Sequence, residues 1–400
     1  MLTVSDDFVT RLAQRAAEAE DLRRLPDATI ADFRAGGLGR LLLPARYGGE
    51  QAPFSAILEP VRRMAHGCAS SAWTLGFYIL HNWMLALFDE RAQDEVFADG
   101  PVLCPAPLAP TGRGLPVAGG VRLSGRWSWA TGIMAADWVL VGALCEGGAA
   151  GPATSGSADE MYPALALLPA DQVRVEDVWH TAGMRATGSN DVVVDDVMVP
   201  EHRLVKVTDI YAGTAPGAAL HGVATYRWPM VPALALVASM PALGAAEHVA
   251  DVFAARLGER VLAYSGVAQK QQPAAQIRLG DARVRLRALD GLLRETVATL
   301  ESMVADGARI PRAVRARARM AAAHIVHESR SVIADLLEQP GTALVFAHAH
   351  LLRVLATRWC GRPPIDAQHL LLDPASISIL GHEREERAIE RWNLVVDRPL

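Results

Sequence analysis

Between positions 119 and 143 the chain reads GGVRLSGRWSWATGIMAADWVLVGA. A glycine turn leads a strand into Trp127, Ser128, Trp129, Ala130, Thr131 and Gly132. Two indoles, two hydroxyls and a glycine at a strand end suit a flat heterocycle such as isoalloxazine. The indoles offer apolar contact to its face. The hydroxyls of Ser128 and Thr131, with the backbone of Ala130–Gly132, offer partners to its N1, C2, N3, C4 and N5 edge. The same residues also make a plain β-domain core. A second block, WHTAGMRATGSNDVVVDDVMVPEHRLV (179–205), places Thr187 and Ser189 in a tight glycine turn after Trp179. Its hydroxyls can bond a ring edge or a phosphate, and its indole can cover a face. A hairpin turn draws on the same residue types. A third block, CASSAWTLGFYILHNWMLALF (68–88), sets His81, Asn82 and Trp83 on an apolar helical segment. That segment reads either as core or, with Cys104, as the lining of a small-molecule pocket.

Elements of three kinds must hold these blocks. Residues 1–100 have helical spacing: FVTRLAQRAAEAEDLRRL stops at Pro26, and DATIADFRAGGLGRLLLP opens on a capping Asp and stops at Gly-Gly. From 101 to 208 the apolar period is two, in β-branched runs divided by glycines. The stretch 146–161 reads as a loop between strands. After 217 the helical period returns, over 230–258, 273–305, 311–339 and 342–360. Pro273 and Pro311 stand where a helix begins. Four long helices suggest a bundle over 217–400. The fold class is thus mainly α with a central β-domain.

Composition narrows the function. The chain has 400 residues and a formal net charge of −5, which gives no reason to expect nucleic acid or an anionic membrane as partner. Its four cysteines form no CxxC pair, so a zinc site or disulfide frame is not expected and a reducing cytoplasm fits. The start is charged and amphipathic, without the apolar core of a secretory signal. The apolar run 229–246 contains three prolines and continues into EHVADVFAARL; it reads as a buried helix, not a membrane span. His348 and His350 lie on different helix faces without a nearby carboxylate or cysteine cluster, so no metal is expected.

The blocks SSAW, SGRWSWATG and GMRATGSND with the following VPEHR, in this order and separation, resemble flavin-dependent monooxygenases of the acyl-CoA dehydrogenase fold superfamily. The resemblance is to the oxygenase components of two-component aromatic hydroxylases. It implies an N-terminal helical domain, a middle β-barrel and a C-terminal four-helix bundle. It further implies reduced flavin, FAD or FMN, supplied by a separate reductase, O2 as co-substrate, and a homotetramer. In such an enzyme a C4a-hydroperoxyflavin oxygenates an aromatic or polycyclic small molecule. Arg260, with Arg256 as competitor, becomes a candidate for the flavin phosphate, since the guanidinium fork pairs with phosphate oxygens. His369 stands where the family carries an active-site histidine. The Arg-Asp pair that precedes it in the family is replaced here by Ala356-Thr357, and GRPPID intervenes.

Chemistry separates two branches of that superfamily. A dehydrogenase needs a carboxylate base beside the flavin. PPIDAQHLLLD lacks the Glu-Gly-Thr turn that carries one position of that base. VPALALVAS has no acid at the other, and Glu247 comes a few turns too late. A monooxygenase needs a dry pocket and a hydrogen-bonding or basic group, a role histidine fills. His369 and His81 are the candidates, with Ser128 as hydroxyl partner. The alternatives are a flavin dehydrogenase or oxidase, and a non-catalytic scaffold.

Overall fold

A computed structural model describes residues 2–147, 161–260, 268–337, 356–360, 362, 363, 366, 369, 376–383 and 386–395. The chain divides into two compact units, Met1–Leu336 and Leu337–Leu400.

The first unit opens with six helices: α1 (Asp6–Gln14), α2 (Ala16–Leu22), α3 (Asp27–Gly36), α4 (Leu58–Gly67), α5 (Ala69–Leu85) and α6 (Glu90–Val96). Ser5 caps α1 by accepting from Phe8 N, satisfying one of the helix's orphan donors. In α5 nearly every side chain is buried, as its apolar composition requires.

The alternating stretch then forms β1 (Gly112–Val117), β2 (Gly120–Ala130), β3 (Trp138–Glu146), β4 (Met161–Pro169), β5 (Arg174–Glu176), β6 (Asn190–Pro200) and β7 (Leu204–Lys206). These make one seven-stranded sheet in the order β5-β6-β2-β1-β3-β4-β7. Only β1 and β3 pair in parallel. Among the described residues the strands follow one another in linear order, with β5 and β7 at the two ends. Both edge strands have three residues, which limits unwanted pairing. The sheet has its own core, including Trp127, Val139, Val141, Val192 and Val194.

The pairing of β2 with β6 slips by one residue near the end of β2. Trp127 pairs with Val192, but Ala130 pairs with Asn190, so β2 carries one residue more than β6 over this interval. The extra residue is accommodated by Trp129, whose φ is +68°. Such a bulge breaks the in–out alternation and puts Ser128 and Trp129 both on the outside.

After α7 (Val207–Ala212) and α8 (Pro216–His221) come the long helices α9 (Met230–Glu259), α10 (Pro273–Ala305) and α11 (Arg312–Leu337). Pro273 occupies the first turn of α10, and α11 starts directly after Pro311, as the sequence predicts. By length and composition α9 qualifies as a membrane span, yet 61% of its most apolar window is buried inside the protein. It packs on α4, α5 and α10, a core helix. Gly244 permits this approach: a Cβ there would lie 2.2 Å from the carbonyl oxygen of Arg62. Arg62 on α4 is itself held by Glu247 of α9 and Asp290 of α10. The N-terminal helices and α9, α10 and α11 share one apolar core.

In the second unit residues 356–359 are helical, and β8 (Ser376–Glu383) pairs antiparallel with β9 (Glu386–Val395). The hairpin has no counterpart in the sequence-based expectation of a bundle to residue 400. Most of the fourth expected helix, 342–360, lies outside the described residues, as do His348 and His350.

Candidate functional site

The end of β2 and the turn before β6 meet where Gly132 N donates to Thr187 O at 2.9 Å. Above that bond runs a chain of hydroxyls. Thr187 Oγ1 donates to Met184 O at 2.9 Å, which uses its only proton. Ser189 Oγ, 2.7 Å away, must therefore donate to Thr187. Thr131 Oγ1, 2.8 Å from Ser189, must in turn donate to Ser189. Every proton points inward, and Thr131 ends the chain with unshared lone pairs. Thr187 and Ser189 are buried, while Thr131 is half-buried. The three hydroxyls singled out in two separate sequence blocks are thus brought together, and the group at the rim is an acceptor.

The turn is held firmly. Met184 and Gly188 both adopt left-handed conformations, with φ of +55° and +53°. Asn190 Oδ1 accepts from Val178 N and Trp179 N, each at 3.0 Å. Trp179 Nε1 donates to Met184 O at 3.0 Å. Arg23, at the end of α2, pairs with Asp177 at 2.5 Å and so anchors the same loop to the helices.

Gly132 has φ of +79°, and a Cβ on it would stand 2.2 Å from the Tyr78 hydroxyl. That hydroxyl donates to Gly132 O at 2.6 Å. Gly132→Ala is expected to lower stability by about 2–4 kcal/mol, from left-handed strain and overpacking together. The midpoint of urea unfolding measures it. The cavity lined by Tyr78, Gly132, Met134 and Gly188 has a volume of about 10 Å³. That holds a water molecule and not a tricyclic ring, so the interior cleft between strand end and helices is filled by Tyr78.

What remains open is the outer surface, and there the two tryptophans divide. Trp129 is 72% exposed and in a backbone conformation that bulky side chains rarely adopt. Trp127 is 1% exposed, and its Nε1 donates to Gly142 O at 2.6 Å. Trp127 therefore belongs to the sheet core and is no ring platform, contrary to expectation. Ala130 is also buried, leaving only its backbone for contact, and Ser128 is exposed.

The expected pocket on α5 is core as well. Asn82 uses its whole amide: Nδ2 donates to Tyr78 O and Val102 O, and Oδ1 accepts from Val102 N. Trp83 Nε1 donates to Thr225 O at 2.7 Å. Cys104 is fully buried, and burial pushes its thiol well above the ordinary range. These three side chains fix the helix to its neighbours and line no pocket. Their polar atoms gave the misleading signal; each one is consumed by backbone.

His81 is 3% exposed, with Nδ1 2.6 Å from Cys104 O. A carbonyl only accepts, so Nδ1 carries the proton and Nε2 the lone pair. The partner is thus Cys104, not Ser128. Burial pulls the His81 pKa from 6.5 down to about 4. The unfolded chain takes up a proton here as pH falls below about 6.5, while the folded chain resists until about 4. Stability is therefore complete above the unfolded value and declines through this window as pH falls. Between pH 7 and pH 4 the protein is expected to lose roughly 3 kcal/mol more than His81→Gln does. Urea midpoints across that pH range measure the difference.

Arg260 caps the end of α9, is exposed, and accepts from Gln269 N through its carbonyl; the intervening 261–267 lie outside the described residues. His369 is exposed in the second unit. Among the described residues no cluster fit to hold a metal occurs. Glu247, the acid nearest the position a dehydrogenase base would need, is engaged by Arg62 through both carboxylate oxygens and lies 3.7 Å from His66.

Residues 236–355 match the family described as acyl-CoA dehydrogenase, C-terminal domain. The chain is 32% identical, over 90% of each chain, to the flavin-dependent monooxygenase oxygenase subunit HsaA of Mycobacterium tuberculosis. It is 30% identical to the FADH2-dependent resorcinol hydroxylase oxygenase component of a Rhizobium species, covering 72% of this chain and 70% of that one. The crystal structure of the Mycobacterium tuberculosis HsaA monooxygenase superposes with a TM-score of 0.76 at 33% identity, over 84% of this chain and 85% of that one. XiaF from a Streptomyces species, in complex with FADH2 and glycerol, gives 0.74 at 27% identity, over 83% and 82%.

Proposed function

Because the chain belongs to the family of flavin-dependent monooxygenase oxygenase subunits built on the acyl-CoA dehydrogenase fold, we propose that it receives reduced flavin from a separate reductase and hydroxylates an aromatic or polycyclic small molecule with O2. When bound, the flavin supplies the two electrons that activate O2. The protein supplies a platform, a polarised edge and exclusion of water. The observation that carries this reading is the one-way hydroxyl chain ending in an acceptor at Thr131, two residues from the exposed indole of Trp129. An N5–H, which only the reduced ring carries, is the donor such an acceptor matches. Trp129 gives the ring a flat face. Gly132, without a side chain, lets the Tyr78 hydroxyl close directly behind the strand end and support this edge from within.

A ring on this outer surface needs a cover. A homotetramer provides one, with a neighbouring subunit closing the site and Arg260 reaching the phosphate across that boundary. His369 and Ser128 are the remaining candidates for contact with substrate. His81, neutral and held by Cys104, stiffens the helix behind the site. A dehydrogenase reading is weaker, because Glu247 is occupied by Arg62.

The test is reconstitution with a flavin reductase, NADH, FMN or FAD, and resorcinol or another phenol under ¹⁸O2. One labelled oxygen atom is expected in the product. Consumption of NADH with hydrogen peroxide as the sole product across a broad set of phenols and indoles would refute the reading.

A further inference from the structure

Arg185 lies in the turn that carries the hydroxyl chain, between Met184 and Thr187. It is half-buried, and its Nε is fully buried without a hydrogen-bond partner. Its Nη atoms stay accessible, and no ion pair engages the guanidinium among the described residues. The arginines nearby differ: Arg23 is taken by Asp177, Arg24 by Asp27, and Arg126 by Glu176 and Asp191. The backbone of Arg185 is not free to move. Its carbonyl accepts from Gly188 N at 3.2 Å, and Ala186 beside it is fully buried. The side chain is thus delivered to a fixed place and given no carboxylate there. A buried N–H without an acceptor costs about 1–3 kcal/mol. Such a group calls for an explanation, and an anion supplied from outside the chain is one that fits an accessible guanidinium.

We propose that Arg185 is an anion-recognising residue of the flavin site, pairing with a negatively charged group of the reduced flavin. This rests on the reading that reduced flavin docks at Thr131 and Trp129. Two groups have the required chemistry: the N1–C2=O edge, which is anionic in the reduced ring at neutral pH, and the 5′-phosphate. Arginine suits both, since its planar fork meets paired anionic acceptors. Paired with the ring edge, it would also make the site prefer the reduced cofactor over the oxidised one.

Anaerobic titration of the full chain and of Arg185→Gln with reduced FMN, reduced riboflavin and oxidised FMN tests this. The variant is expected to bind reduced FMN at least tenfold more weakly. A loss shared by reduced FMN and reduced riboflavin, and spared with oxidised FMN, assigns the ring edge. A loss with FMN in both redox states, spared with riboflavin, assigns the phosphate. Arg185→Lys should recover part of the affinity because it restores the charge, and it serves where the glutamine variant does not fold. Unchanged affinity for all three flavins overturns the proposal, as does an equal loss for all three accompanied by a lower unfolding midpoint. If the unaltered protein binds no reduced flavin, the flavin reading itself falls and Arg185 with it.

Discussion

Trp129→Ala is expected to weaken binding of reduced flavin by roughly 5- to 150-fold, corresponding to about 1–3 kcal/mol of lost stacking, while the unfolding midpoint holds or rises. The side chain is 72% exposed, so its removal uncovers little core. Its φ of +68° is a conformation in which a bulky residue is strained, by about 1–2 kcal/mol. Trp129→Gly should accordingly raise stability by about 1 kcal/mol while binding flavin no better than the alanine variant. Strain retained at an exposed aromatic residue is what a ligand platform leaves in the backbone. Anaerobic flavin titration and urea unfolding of the same preparations measure the two effects separately. Unaltered flavin affinity in both variants would remove Trp129 from the site.

Trp127→Ala should do the reverse. Loss of a fully buried tryptophan costs about 3–5 kcal/mol, and here the indole also satisfies Gly142 O. Its ring packs closely on glycine backbone: a Cβ added to Gly112 would stand 2.2 Å from its Cζ2. Trp127→Phe keeps part of the packing but removes the indole donor to Gly142 O, for a loss of about 1–3 kcal/mol from the lost hydrogen bond and volume together. Flavin affinity of the folded fraction should be nearly that of the unaltered protein. A Trp127→Phe variant of normal stability and lowered flavin affinity would reverse the assignment of the two tryptophans.

That pair also shows where sequence reading stops. Residue types announced a strand end with aromatic and hydroxyl groups, and the hydroxyls of Thr131, Thr187 and Ser189 do meet. Which tryptophan faces outward depended on a one-residue bulge between Trp127 and Ala130. Strict alternation would place Trp127 and Trp129 on the same face, and nothing in WSWATG marks where the extra residue sits. His81, Asn82 and Trp83 looked functional because polar atoms on an apolar helix need explaining. Their partners are carbonyls of Cys104, Val102 and Thr225, distant in sequence and invisible to local pattern. Arg185 is plain to see within GMRATGSN, but only the buried Nε–H without an acceptor distinguishes it from the paired arginines Arg23, Arg24 and Arg126 around it. The long helices were legible because their apolar period and their opening prolines agree. The hairpin of β8 and β9 was not: SISIL alternates with the strand period over only five residues, and the family resemblance pointed to a helical bundle up to the end of the chain.

The two apolar cores also set an order of events during synthesis. The N-terminal helices share their core with α9, α10 and α11, whereas the sheet between them has a second core of its own and lends only the buried Leu140, Leu165, Leu167 and Val205 to the first. A nascent chain halted near residue 206 would carry the strands of the sheet and, ahead of them, helices whose oily faces still lack the cover that α9, α10 and α11 give. Arg62 emerges from the ribosome long before its counter-ions Glu247 and Asp290 exist. The earliest part of the polypeptide is therefore among the last to be completed, and the interval before α10 emerges is when a holding chaperone has most to protect.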